Sequence, residues 1–165
     1  MNSFYLDASS LAKRYVPETG SPQVHAILNT IPGERVSVLN VGAGEVISIL
    51  VRKRNAGVIS DAYFGQAVLD FETEIVHATA VRKISVSNRL ALSSFPLIVA
   101  HSINSTDAIT LRSALAFARK LRAAGDDLVL VASDQRLLRA AQAEGLVTFN
   151  PDIQDQAALS LLLAP

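Results

Sequence analysis

The stretch Leu128-Val129-Leu130-Val131 is aliphatic at every position rather than at every second one. An unbroken run of that length suits a strand covered on both faces, as in the parallel sheets of α/β proteins, whereas a half-solvated antiparallel strand alternates. Similar short runs recur between longer segments with helical periodicity. The pattern predicts strands near 3–6, 35–39, 83–87, 128–132 and 147–149, with helices near 8–15, 21–31, 40–55, 59–76, 89–101, 107–124 and 135–144. Pro32-Gly33, Gly125, Gly145 and Asn150-Pro151 fall where these segments should stop. Strand then helix, repeated, implies an α/β/α three-layer sandwich around a mostly parallel five-stranded sheet. With 165 residues and no repeat or linker, one domain over 1–165 is expected. The apolar segment 157–163 is expected to pack on that domain's own core.

Composition narrows the chemistry. The absence of cysteine excludes disulfides, thiolate metal sites and cysteine nucleophiles, and fits a reducing compartment. The first residues lack a signal-peptide pattern and no apolar run approaches eighteen residues, so a cytoplasmic protein off the membrane is expected. Fifteen basic residues balance fifteen acidic ones, so bulk charge does not advertise a nucleic-acid partner. Only local patches could: Lys13 with Arg14, Arg52-Lys53-Arg54, Arg82-Lys83, and Arg119-Lys120 with Arg122. The ordinary reading of each is a solvated face or a helix C-terminal charge. Tyr5, Tyr15 and Tyr63 could stack on bases, yet with aromatics at 5% a core position is the commoner fate. His25, His77 and His101 are scattered without metal-ligand spacing.

Four acids carry the chemical signal. Asp7 ends the first strand and Asp134 follows the fourth, which puts both at the carboxyl edge of the sheet, where open α/β sheets bind ligands. Asp107 opens a helix with an apolar face of Ala108, Leu111, Leu115 and Ala118. Taken singly, each Asp reads better as a helix cap. Glu45 is different: it shares a helical stripe with Val41 and Ile49, and a carboxylate buried there unpaired would cost several kcal/mol. It needs a metal, a base or a cavity with water, unless it is an ordinary partner to Arg52 or a partly exposed edge residue. Taken jointly, the four could meet in one crevice, where clustered carboxylates resist joint ionisation unless a divalent cation neutralises them. Oxygen donors select Mg²⁺ or Mn²⁺.

Several segments together resemble the PIN-domain nucleases, and within them the VapC-like toxins of prokaryotic toxin–antitoxin pairs. The likeness lies in 6–18, which begins Leu6-Asp7-Ala8-Ser9-Ser10-Leu11, in Gly44-Glu45-Val46, in Thr106-Asp107-Ala108-Ile109-Thr110-Leu111, and in 131–138, which contains Ser133-Asp134-Gln135-Arg136. It spans nearly the whole chain. Two positions depart from the pattern: Thr110 stands where many relatives carry His, and Arg112 where a small residue is common.

The resemblance implies a metal-dependent endoribonuclease in which Asp7, Glu45, Asp107 and Asp134 hold Mg²⁺ or Mn²⁺ and form the catalytic set. It implies Asp7 and Asp107 as direct ligands, Asp134 as a ligand or its support, and Glu45 as a ligand through water or a proton acceptor. Ser9, Thr106 and Ser133 stand beside the acids and either orient them or cap helices. The resemblance further implies an RNA substrate, a cognate antitoxin covering the cleft and a homodimer. Two other readings stand against it. In one, Asp7 is a phosphorylated nucleophile, but haloacid-dehalogenase-like enzymes usually carry a second Asp where this chain has Ser9. In the other, the fold is a non-catalytic protein- or RNA-binding module.

Overall fold

The computed structural model describes residues 1–164. Its elements run β1 (Asn2–Leu6), α1 (Ala8–Leu11), α2 (Ser21–Thr30), β2 (Val36–Leu39), α3 (Asn40–Asn55), α4 (Asp61–Phe71), β3 (Arg82–Ile84), α5 (Asn88–His101), α6 (Ser105–Arg122), β4 (Asp127–Val131), α7 (Gln135–Ala143), β5 (Val147–Phe149) and α8 (Gln156–Leu163). The strands form one sheet in the order β3-β2-β1-β4-β5, and every pairing is parallel. The mostly parallel sheet expected from the sequence is thus wholly parallel. β1 sits at its centre, in register with β4 from Asn2 opposite Asp127 to Leu6 opposite Val131.

The uninterrupted aliphatic runs have a direct cause. Phe4, Leu6, Val129 and Val131 face one layer, where they pack with Leu11, Val24, Ile27, Val46, Leu50 and Phe71 from the helices. Tyr5, Leu128 and Leu130 face the other, against Leu111, Ala114, Leu137 and Ala141 of α6 and α7. Successive side chains of a strand point to opposite faces, so a strand with helices on both sides needs apolar residues at every position. Each such side chain stabilises the fold by roughly 1.5–3 kcal/mol through burial.

Local differences from expectation have local reasons. The first helix breaks after one turn, and Ala12–Arg14 continue as a 3₁₀ turn. The long fourth helix is α4 followed by a π-helical turn, Glu72–Val76. β3 is shorter than the run 83–87, because Ser87 leaves the sheet to cap α5 through the Leu90 amide. The tail behaves as expected. Leu159 is fully buried, Ala158, Leu162 and Leu163 pack against the same layer, and the Asn2 amide donates to the Leu162 carbonyl at 3.0 Å. Among the described residues, no helix is long and apolar enough to cross a membrane.

Candidate metal centre

Asp7 is held where β1 ends. Its amide continues the ladder by donating to the Val131 carbonyl at 2.9 Å. Its carboxylate caps α1, accepting from the Ser9 amide at 3.0 Å and the Ser9 hydroxyl at 2.6 Å. The same Ser9 oxygen accepts from the Ser133 amide at 3.0 Å, so one hydroxyl ties the loop after β1 to the loop after β4. The Ser10 hydroxyl reinforces the seam, lying 2.9 Å from the Asp7 carbonyl and 2.8 Å from that of Val131. Asp134 ends the second loop and caps α7, with one oxygen accepting from the Arg136 and Leu137 amides at 2.7 and 3.1 Å. Two of the acids are therefore caps as well as cleft residues.

Asp107 is not a cap. Asn104 caps α6, accepting from the Asp107 amide at 2.8 Å, and its side-chain amide donates back to the Asp107 carboxylate at 2.8 Å. Asp107 thus sits in the reciprocal position of a capping box. Glu45 also departs from expectation. The buried stripe of α3 is Val46 and Leu50, whereas Val41 is 49% exposed and Glu45 and Ile49 are half-buried. The expected partner Arg52 makes no ion pair with Glu45 within 4 Å; Glu45 and Ile49 line a cleft instead of the core.

That cleft, about 340 Å³, is lined by Asp7, Ala8, Ser9, Glu45, Ser48, Ile49, Arg52, Asp107 and Asp134. The structure thus brings all four acids to one place at the carboxyl edge. Their charges are only partly compensated, by Arg52 toward Glu45 and Arg136 toward Asp107. Burial pushes the Asp7 carboxyl up, against the pull of Ser9, and the Asp134 charge adds to the rise. Burial also raises Asp107, to about 6, with Asp134 and Asp7 contributing. Glu45 is raised by burial and then by Asp7.

The fit to a divalent cation rests on this donor set. Four carboxylates supply only hard oxygen ligands, and each of three disfavours ionisation in the others' presence, a conflict that a bound cation removes. The Ser133 hydroxyl, beside Asp134, is buried without a hydrogen-bond partner. In their present rotamers, no three acidic or histidine side chains among the described residues stand close enough together to grip one ion.

Other candidates from the sequence fall elsewhere. Tyr5 and Tyr15 are buried, which removes them as stacking platforms, while Tyr63 is 42% exposed on a different cleft with Arg14 and His25. His101 pairs with Glu144 at 2.7 Å. The Lys13–Arg14 patch is engaged: Lys13 is buried against Glu18 and Asp152, and Arg14 is paired with Glu74. Within Arg52-Lys53-Arg54, Lys53 pairs with Glu18 at 2.6 Å and Arg54 stacks on Phe64 at 4.6 Å, which leaves Arg52 facing the acids. Sequence reading missed the seam made by Ser10 and the cap made by Asn104. The Asn104-Ser105-Thr106-Asp107 spacing could have revealed the latter.

No protein-family model matches the chain, and no curated protein matches its sequence. Solved structures match over almost all of it. Mycobacterium tuberculosis VapC20, a sarcin-ricin loop cleaving toxin, aligns at 18% identity over 93% of this chain and 100% of its own, with a TM-score of 0.61. FitAB, solved bound to an IR36 DNA fragment, aligns at 16% over 93% and 98% with a TM-score of 0.65. PAE2754 from Pyrobaculum aerophilum aligns at 16% over the full length of both chains, with a TM-score of 0.61. The α/β/α architecture of this chain, with its parallel five-stranded sheet and its acid-lined carboxyl edge, is therefore the PIN-like fold that its motifs resemble and that VapC20 shares.

Proposed function

We propose that the protein is a Mg²⁺- or Mn²⁺-dependent endoribonuclease that hydrolyses RNA phosphodiester bonds and serves as the toxin of a toxin–antitoxin pair. The observation that carries the reading is the convergence of Asp7, Glu45, Asp107 and Asp134 on one cleft with their charges left unbalanced. Asp7 and Asp107 would hold the ion directly, with Asp134 a ligand or its support and Glu45 a ligand through water or the proton acceptor at the edge. Bound there, a divalent cation supplies acidification of the attacking water and neutralisation of charge growing on the phosphate.

The chain's own groups do the rest. Ser9 holds the Asp7 carboxylate in one orientation, so its free oxygen stays turned to the cleft. The α7 amides hold one oxygen of Asp134, and the other has the Arg136 guanidinium 3.9 Å away. Glu45, half-buried at the cleft and raised in pKa by burial, is placed to take a proton from water. VapC20 supports the substrate class, since a protein of this fold cleaves an RNA loop.

The same reading assigns one domain over the whole chain, a cytoplasmic setting and a cognate antitoxin over the cleft. It also assigns a homodimer, supported by the exposed Leu92, Phe95 and Val99 on one side of α5. The test is cleavage of a mixed RNA pool by purified, antitoxin-free protein with Mg²⁺, Mn²⁺ or EDTA, beside Asp7→Asn. Cutting that needs metal and is lost in Asp7→Asn is expected. RNA bound but never cut by the folded protein would overturn the enzyme reading in favour of a binding module.

A further inference from the structure

Two arginines flank the four acids on helices that follow different strands. Arg52 lies on α3, after β2, and is the one cation among the cleft-lining residues; no carboxylate lies within 4 Å of it among the described residues. Arg136 lies in the first turn of α7, after β4, 59% exposed, its guanidinium 3.9 Å from the Asp134 oxygen that the α7 amides leave free. The sheet order puts β2 and β4 on opposite sides of β1, whose end carries Asp7. Both guanidinium charges reach the site: Arg52 eases the charge on Glu45, and Arg136 eases that on Asp107. The basic side chains that follow α1 and Arg52 in sequence are committed. Lys13, Arg14 and Lys53 sit in carboxylate pairs, and Arg54 stacks on an aromatic ring.

Even with a cation bound among them, four carboxylates offer a polyanion no positive side chain of their own, so the flanking phosphates need cationic groups at the rim of the cluster. Guanidinium groups bind phosphate oxygens in a fork and stay charged at any working pH. We propose that Arg52 and Arg136 are phosphate-positioning residues that grip the backbone on opposite sides of the scissile bond. A single strand then runs across the carboxyl edge from α3 to α7. The inference rests on the nuclease reading of the site and adds the direction of the strand and the need for a phosphate on each side of the cut. Neither arginine is assigned to metal binding.

The test uses full-length protein and a short oligoribonucleotide that the wild type cleaves, made with single methylphosphonate replacements that remove one backbone charge at a time. Arg52→Ala and Arg136→Ala are each expected to raise KM about tenfold with a smaller change in kcat, because each loses a charge-assisted contact made in the ground state. Each should also reduce the salt dependence of binding by roughly one phosphate's share. Arg52→Ala should become indifferent to a neutral linkage on one side of the cut, and Arg136→Ala to one on the other. Mn²⁺-induced thermal stabilisation should persist in both variants, which shows that fold and metal site remain. Unchanged KM, or sensitivity to neutral linkages identical to that of the wild type, would overturn the inference while leaving the nuclease reading intact. Failure of the wild type itself to cut or to respond to Mn²⁺ would instead sink that reading, and this inference with it.

Discussion

Two charged clusters sit a few residues apart in sequence and are built on opposite principles. Lys13, Glu18, Lys53 and Asp152 form an alternating network with separations of 2.6 to 3.2 Å. Burial alone would raise Glu18, but the Lys53 and Lys13 hydrogen bonds outweigh it and its pKa ends below the usual value. Gly20, at φ +87, lets the chain come so close to Pro151 that a Cβ would stand 2.8 Å from its carbonyl group. The other cluster gathers Asp7, Glu45, Asp107 and Asp134 with only Arg52 in its lining, and the carboxyls of Asp7, Glu45 and Asp107 are pushed up. A cluster that balances itself holds the fold together. One that does not is a site waiting for a charge from outside.

Exchanging a charge for a neutral isostere should therefore have opposite consequences in the two places. Asp7→Asn is expected to lower RNA cleavage at least a hundredfold, a loss of about 3 kcal/mol in transition-state stabilisation, while leaving the melting temperature of the metal-free protein equal or higher. Steady-state cleavage and a thermal melt in EDTA check the two halves. Lys13→Met leaves Asp152 without its cation and Glu18 with Lys53 alone, in a site where the lysine side chain is 7% exposed. That should cost about 3 kcal/mol in urea unfolding, with cleavage per folded molecule little changed. If Lys13→Met were neutral in stability, the contrast between the clusters would collapse.

The sequence revealed the fold more fully than the site, and particular residues show why. Leu128 to Val131 could be read as a doubly covered strand because burial on both faces writes itself into every position. Asp7 and Asp134 could be placed at the carboxyl edge because a strand and a helix start bracket each of them. Glu45 was harder: its helical row was legible, but which row of α3 faces the core depends on how the helix lies on the sheet, and Val46 and Leu50 take that role. Lys13-Arg14 looked like a phosphate patch because its partners Glu18, Asp152 and Glu74 are brought in by tertiary packing that no local spacing records.

The pH response should separate the clusters again. Asp107 titrates at about 6 in the folded chain, above the ordinary aspartate value, so its ionised form weighs against the metal-free fold. That penalty is full above pH 6 and fades as pH falls toward 4. Asp107→Asn should therefore stabilise the metal-free protein by about 1–2 kcal/mol at pH 7.5, after discounting for solvent screening at the cleft mouth, and by little near pH 4.5. Glu18, lowered in the fold, contributes in the reverse sense: its stabilisation is present above the unfolded carboxylate value and is lost as pH falls through the folded one. Mn²⁺ should erase the Asp107 penalty and leave Glu18 untouched. Melts from pH 4 to 8 with and without Mn²⁺ check both, and a gain from Asp107→Asn that did not vary with pH would refute this account of the cleft.

The smallest effect is expected at Ser9, where the two roles meet in one oxygen. Its hydroxyl donates to Asp7 at 2.6 Å and accepts from the Ser133 amide at 3.0 Å, so Ser9→Ala both frees the carboxylate and orphans a backbone donor. The orphaned amide should cost about 1 kcal/mol of stability. The lost donation removes the strongest influence favouring ionised Asp7, so that carboxyl should rise further and cleavage at pH 7 should fall about tenfold. The pH–rate profile of Ser9→Ala should therefore lie displaced to higher pH than that of the wild type, which a purely structural staple between the loops would not produce. A pH–rate profile of Ser9→Ala parallel to that of the wild type would reduce Ser9 to such a staple and leave Asp7 oriented by its backbone contacts alone.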